Sequence, residues 1–120
     1  MDLGLKGKKV LITGGSKGIG ASCGHAFAAE GANVILVSRT ADALQRTADE
    51  IRSRHQVQVE TFAADLSQGP AREDTMRRYG DADVLVNNAG AIPGGSIEDL
   101  TMERWIESWQ LKVFGYIHMT

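Results

Sequence analysis

Apolar residues in this chain fall into short continuous runs separated by longer segments with helical periodicity. Val10-Leu11-Ile12 opens the series, within a strand expected over Lys9–Thr13, and Asn33–Val37 supplies a second run with no polar interruption. Val57–Phe62 alternates before reaching Ala63-Ala64-Asp65, and Val84-Leu85-Val86 makes a fourth strand. Between them, Ile19–Glu30 places Ile19, Cys23, Ala26 and Phe27 at the i, i+4, i+7, i+8 spacing of one helical face, with Gly31 at the C-terminal stop. Thr40 or Asp42 caps a second helix running to Arg54, a weaker one spans Pro70–Tyr79 before Gly80, and Thr101–Met119 reads as one long final helix. Strands apolar at every position are buried on both faces, so alternating strands and helices predict a parallel sheet with helices on each side. Right-handed crossovers then give a doubly wound α/β half-fold with strand order 3-2-1-4. Residues 1–120 read as one such unit, with no repeat, linker or low-complexity segment.

The first strand-to-helix junction carries the chemistry. Thr13-Gly14-Gly15-Ser16-Lys17-Gly18-Ile19-Gly20 puts four glycines where a buried strand must turn into a helix. Glycine permits positive φ and close approach of a ligand to the backbone. The helix start adds unpaired N–H groups and a positive dipole end, which favour an anion. The spacing is Gly14-x-x-x-Gly18-x-Gly20, unlike the G-x-G-x-x-G fingerprint, and no Gly-Lys-Ser/Thr closes it as in a P-loop. The junction is read as a phosphate site.

Composition narrows the setting. A 120-residue chain, 42% apolar, suits a single domain, and a net charge of −2 offers no electrostatic case for nucleic acid or an anionic membrane. No apolar run approaches the ~20 residues of a membrane span. The start, Met1-Asp2-Leu3-Gly4-Leu5-Lys6, lacks a secretory apolar core, and a lone cysteine, Cys23, excludes an internal disulfide. A cytoplasmic protein is expected. Cys23 reads as inert packing on the first helix, and His25, His55 and His118 have no metal-ligand spacing, so no metal is expected.

Two motifs together resemble one family. T-G-x-x-x-G-x-G after the first strand and Asn87-Asn88-Ala89-Gly90 after the fourth are similar to the paired signatures of short-chain dehydrogenases/reductases, and the resemblance covers the whole chain. It implies a Rossmann-like fold, an alcohol or ketone substrate and hydride exchange with a nicotinamide cofactor. Gly14, Ser16, Gly18, Ile19 and Gly20 would hold the cofactor at the glycine turn, Asp65 and Leu66 the adenine, and Asn87, Ala89 and Gly90 the ribose, with Asn88 pinning neighbouring strands. The rival role for Asp65 is a turn aspartate bonded to Ser67. Where an acidic residue would hold the adenosine ribose, about twenty residues past the last glycine, stand Ser38 and Arg39. A guanidinium there, with Lys17 opposite, suits a 2′-phosphate, so NADP(H) is expected over NAD(H). The bland alternative is that both are ordinary solvated cations.

The family's catalytic serine and Tyr-x-x-x-Lys are not found: Tyr79 precedes Asp83 by four places and Tyr116 precedes Thr120. The resemblance therefore implies the N-terminal half of a longer enzyme, inactive by itself, with a non-catalytic NADP(H)-binding module or truncated relative as the alternative. In Lys112-Val113-Phe114-Gly115, Lys112 takes the place of the asparagine that assists the family's proton relay. It is either a cation aimed at the active site or a surface lysine. Ala91–Ser96 reads as a loop bordering the substrate site. The Thr101–Met119 segment is apolar on most sides, implying burial, and in the resemblance it joins subunits into a homodimer or homotetramer.

Overall fold

The computed structural model describes residues 1–91 and 94–120. Its elements are β1 (Lys9–Thr13), α1 (Gly18–Ala29), β2 (Asn33–Ser38), α2 (Ala41–Arg54), β3 (Val59–Ala63), α3 (Gly69–Tyr79), β4 (Val84–Val86), α4 (Met102–Trp109), a π-helical turn (Gln110–Phe114) and α5 (Gly115–Met119). The strands form a parallel sheet in the order β3-β2-β1-β4. This is the doubly wound Rossmann-like arrangement that the alternation of elements predicts.

Register explains the continuous apolar runs. Val10 pairs with Val34 and Ile12 with Leu36, and these four point into one core with Ala28, Leu44, Ala48 and Ile51 from α1 and α2. Leu11 pairs with Ile35, and with Val37 they point to the opposite face, where Leu66 and Met119 cover them. Both parities of β1 and β2 are thus sealed from water. β4 is only half-buried, against the expectation of a fully buried strand, because it lies at the sheet edge with β1 as its neighbour.

Two helices differ from their sequence reading. On α1 the buried residues are Gly20, Gly24 and Ala28, while Ile19 is 75% exposed and Ala26 is exposed. The helix lies so close to the sheet that glycine, not a large side chain, occupies the contact: a Cβ on Gly24 would sit 3.0 Å from Ile51 Cδ1 and 3.3 Å from Leu36 Cδ2. Cys23 and Phe27 pack half-buried beside that seam. The expected single helix over Thr101–Met119 is divided by the π-helical turn. Of its apolar residues only Met119 is buried; Met102, Trp105, Ile106, Trp109, Phe114 and Ile117 are exposed, so burial of this segment within the chain is corrected. Thr101 caps α4 by accepting from the Arg104 amide, whereas Thr40 caps α2 with no side-chain bond.

Candidate functional site

The glycine turn is held from three sides. The Gly14 and Gly15 amides donate to Val37 O at 2.7 and 3.2 Å, anchoring the turn to β2. Thr47 on α2 donates its hydroxyl to Ser16 O at 2.8 Å. The Asn88 side-chain amide donates to Thr13 O and Gly14 O at 3.1 and 3.2 Å. Thr13 returns the link, its buried hydroxyl accepting the Asn88 and Ala89 amides at 3.0 Å each. The two signature segments are therefore one hydrogen-bonded unit at the carboxyl ends of β1 and β4. These bonds fix the backbone without using the α1 N-terminus, where no side chain caps the first-turn amides and no acidic residue lies in the first turn.

Gly14 and Gly18 take φ of +68° and +57°, conformations that L side chains rarely adopt. A Cβ on Gly18 would meet nothing within 4 Å, so the space beside it is open. Gly20 has a different reason. A Cβ there would lie 2.1 Å from Gly14 O and 2.6 Å from Asn88 Nδ2.

A cleft of about 350 Å³ opens over this turn. Of the residues expected at the site, Gly14, Ser16, Lys17, Gly18, Ile19, Ser38, Arg39, Asp65, Leu66, Ala89 and Gly90 line it. Gly20 and Asn87 do not. Gly20 is buried beneath the turn, and Asn87 points its side-chain nitrogen at the last helix, 3.2 Å from Thr120 Oγ1 and 3.5 Å from Tyr116 O. The sequence gives no role in the cleft to Val37, Thr40, Ala64 or Leu111, which also line it, while Ala91 belongs to the loop expected to border the substrate site and Asn88 is expected to be structural only. Leu111 had a signal, since it precedes Lys112 in the segment already singled out. Val37 and Ala64 follow from ending a strand at the ligand edge.

Charge is distributed unevenly around the cleft. Lys17 and Arg39 are exposed at its rim, and neither forms an ion pair among the described residues, in contrast to Lys8, Lys9, Arg52, Arg77 and Arg78. Asp65 Oδ1 accepts from the Ser67 hydroxyl at 2.6 Å and the Ser67 amide at 3.0 Å, so the turn role is present in the structure. The Ser67 hydroxyl bond, with help from the Ser67 amide and the Arg39 charge, holds the Asp65 carboxyl below its usual range against the opposing effect of burial. Its bonds use Oδ1 alone.

Lys112 is exposed and does not line the cleft, yet it reaches its edge. A Cβ on Gly90 would lie 3.5 Å from both Cδ and Nζ of Lys112, and Nζ sits 5.5 Å from the Tyr116 ring centroid. Of the Ala91–Ser96 loop, Ile92 and Pro93 lie outside the described residues. His25 Nε2 is 3.9 Å from Glu50 Oε2, and His118 bonds to Arg72. Among the described residues, no group of three or more His, Cys, Asp or Glu could hold a metal ion, and no helix is long and apolar enough to cross a membrane.

A glycine-lined cleft at the switch point of a parallel sheet, over an uncapped helix start, defines a dinucleotide-binding fold of the Rossmann class. The chain belongs to the short-chain dehydrogenase family, whose model matches residues 8–120. It is 38% identical over 120 residues to D-beta-hydroxybutyrate dehydrogenase of Cupriavidus necator, a match that takes in 97% of this chain and 46% of that protein. L-Sorbose reductase from Gluconobacter frateurii, solved in complex with NADPH and L-sorbose, superposes with a TM-score of 0.89 at 35% identity, covering 99% of this chain and 47% of that one. A short-chain dehydrogenase from Burkholderia cenocepacia in complex with NADP gives 0.88 at 32%, covering 96% and 49%. The chain thus spans about half the length of the relatives it matches.

Proposed function

We propose that this chain binds NADP(H) and forms the cofactor half of an oxidoreductase that interconverts an alcohol and a carbonyl compound. The observation that carries the reading is the pair of cations, Lys17 and Arg39, without ion-pair partners among the described residues, on the rim of a cleft whose glycine turn leaves the α1 amides free for a phosphate. Gly14, Ser16, Gly18 and Ile19 hold the pyrophosphate. Arg39, with Ser38, Thr40 and Lys17, takes the 2′-phosphate through charge-assisted bonds. Asp65 and the Leu66 backbone face the adenine, while Ala89 and Gly90 pass beneath the ribose. Gly20 and Asn87 act indirectly, through the packing of α1 and of the last helix. The relatives solved with NADPH or NADP support the choice of cofactor.

The bound dinucleotide supplies the hydride. Lys112 stands at the Gly90 edge of the cleft, where its ammonium donates a hydrogen bond to a water or an acidic substrate group. Two relatives, D-beta-hydroxybutyrate dehydrogenase and L-sorbose reductase, are named for a small hydroxy acid and a sugar, and a substrate of that size is proposed here. A cytosolic setting, and pairing of copies through the exposed apolar face of α4 and the following turns, complete the reading.

A second reading rests on the sequence around the two tyrosines. Neither Tyr79 nor Tyr116 is followed four places later by lysine, which suits a dinucleotide-binding module without turnover. The test is an assay for NADPH oxidation with ketoses and 3-oxo acids, run on this chain and on a polypeptide that also carries the family's catalytic segment. Turnover by the second alone supports the enzyme-half reading. Cofactor binding without turnover by either supports the module.

A further inference from the structure

Arg72 on α3 is only 7% exposed and forms no ion pair among the described residues. A guanidinium taken out of water is costly unless acceptors meet its donors. Three separate stretches supply them. Nη1 donates to Leu66 O at 2.8 Å and to Gln110 O at 3.3 Å, and Nε donates to His118 Nδ1 at 2.9 Å. Arginine has no acceptor, so His118 Nδ1 presents its lone pair and the imidazole, while so bonded, is neutral with its proton on Nε2.

Two of these acceptors belong to segments that reach the cleft. Leu66 lines it, and the Gln110 carbonyl belongs to the peptide that leads into Leu111, which lines it too. Gln110 O also accepts the Gly115 amide and so closes the π-helical turn. Single π-turns of this kind occur frequently at functional sites. The last helix comes in close at this point: a Cβ on Gly115 would lie 3.3 Å from Gln110 O and 3.5 Å from Leu66 O. A well-packed apolar side chain fills a buried position at no greater cost than a buried charge. What the arginine adds is a set of donors fixed in three directions.

We propose that Arg72 is a positioning residue for the dinucleotide cleft, holding the Leu66 and Gln110–Leu111 segments that line it at one spacing, with His118 as its third support. The inference rests on the reading of the cleft as an NADP(H) site. It is tested by titrating NADPH fluorescence on folded protein, with the thermal midpoint of the unliganded protein recorded in parallel. Arg72→Lys keeps the charge but replaces the planar fork with a point donor that cannot serve all three acceptors. It weakens NADPH binding about tenfold, as expected for loss of one charge-assisted bond. His118→Leu, on an exposed side chain, weakens binding about threefold, and His118→Asn restores it because Oδ1 stands where Nδ1 was.

Affinities for Arg72→Lys and His118→Leu within about twofold of wild type, with only the midpoint lowered, would overturn the proposal and leave Arg72 a structural group. Should Arg72→Lys fail to fold, the contrast between His118→Leu and His118→Asn decides by itself. Wild-type protein that binds neither NADPH nor NADH is a separate outcome; it overturns the cofactor reading and, with it, the brace as a cofactor device.

Discussion

The side-chain nitrogen of Asn88 lies 3.2 Å from the carbonyl oxygen of Gly14, joining the loop after β4 to the glycine turn after β1. The contact sits under the cleft, and Gly20 passes directly beside both partners. The floor of the cleft is thus made by three close-packed backbone segments, and its accuracy depends on the absence of side chains where they meet.

Gly20→Ala places a methyl 2.1 Å from Gly14 O, an overlap that backbone movement alone can relieve. The expected cost is about 3 kcal/mol or more, at the upper end for overpacked sites, with loss of dinucleotide binding. Gly18→Ala meets no atom within 4 Å and carries only its left-handed φ of +57°, about 1–2 kcal/mol. Urea denaturation of the two variants compares them directly, and equal losses would contradict this account of the turn.

Asp65 provides a pH signature. Its folded-state pKa is depressed, chiefly by the Ser67 hydroxyl, so its contribution to stability is present above the unfolded value and lost as pH falls through the folded value. The loss therefore falls below about pH 4. Asp65→Asn keeps an acceptor for Ser67 but removes this titration. Its denaturation midpoint falls less steeply than that of wild type in the acid range, while Asp81 and Asp99, also depressed by hydrogen bonds from Lys9 and Ser96, keep the remainder of the slope.

Lys112→Ala, in a polypeptide that also carries the family's catalytic segment, lowers turnover more than it lowers NADPH affinity. The reason is position: Nζ lies at the Gly90 edge, outside the residues that line the cleft. Steady-state kinetics and a binding titration separate the two effects. Unchanged kinetics would make Lys112 a surface residue.

Trp109 is 51% exposed and Ile106 53% exposed on α4, an apolar surface of the kind that a partner copy would cover. Ile106→Lys combined with Trp109→Glu shifts the sedimentation coefficient of the protein to that of a monomer with little change in its circular dichroism. A wild-type protein that already sediments as a monomer refutes pairing through this face.

Much of this was legible in the sequence because strands buried on both faces leave continuous apolar runs, and β1 and β2 show them clearly. The glycine turn and the Asn87–Gly90 segment could be placed for the same reason, each following such a run. The buried face of α1 escapes the hydrophobic pattern because glycine carries no hydrophobic signal, although Gly20 packs on the Gly14 carbonyl and Gly24 on Ile51 and Leu36. Ile19 satisfied the periodicity and yet lies exposed beside the cleft. The π-helical turn has no sequence pattern, since one extra residue in a helical period of 3.6 hides within an apolar segment. Arg72 was invisible for a related reason: a basic residue on a weakly amphipathic helix reads as solvated until the fold brings Leu66, Gln110 and His118 to it.

The central claim is that Lys17 and Arg39 select a 2′-phosphate over a cleft built by the glycine turn. Isothermal titration calorimetry of the folded protein with NADPH and NADH, repeated on Lys17→Ala and Arg39→Ala, tests it most directly. NADPH binds the wild type more tightly, and each substitution removes about 1.5–3 kcal/mol of NADPH affinity, roughly tenfold to a hundredfold, while leaving NADH affinity unchanged. Equal binding of the two dinucleotides by the wild type, or variants that keep a preference for NADPH undiminished, would contradict it.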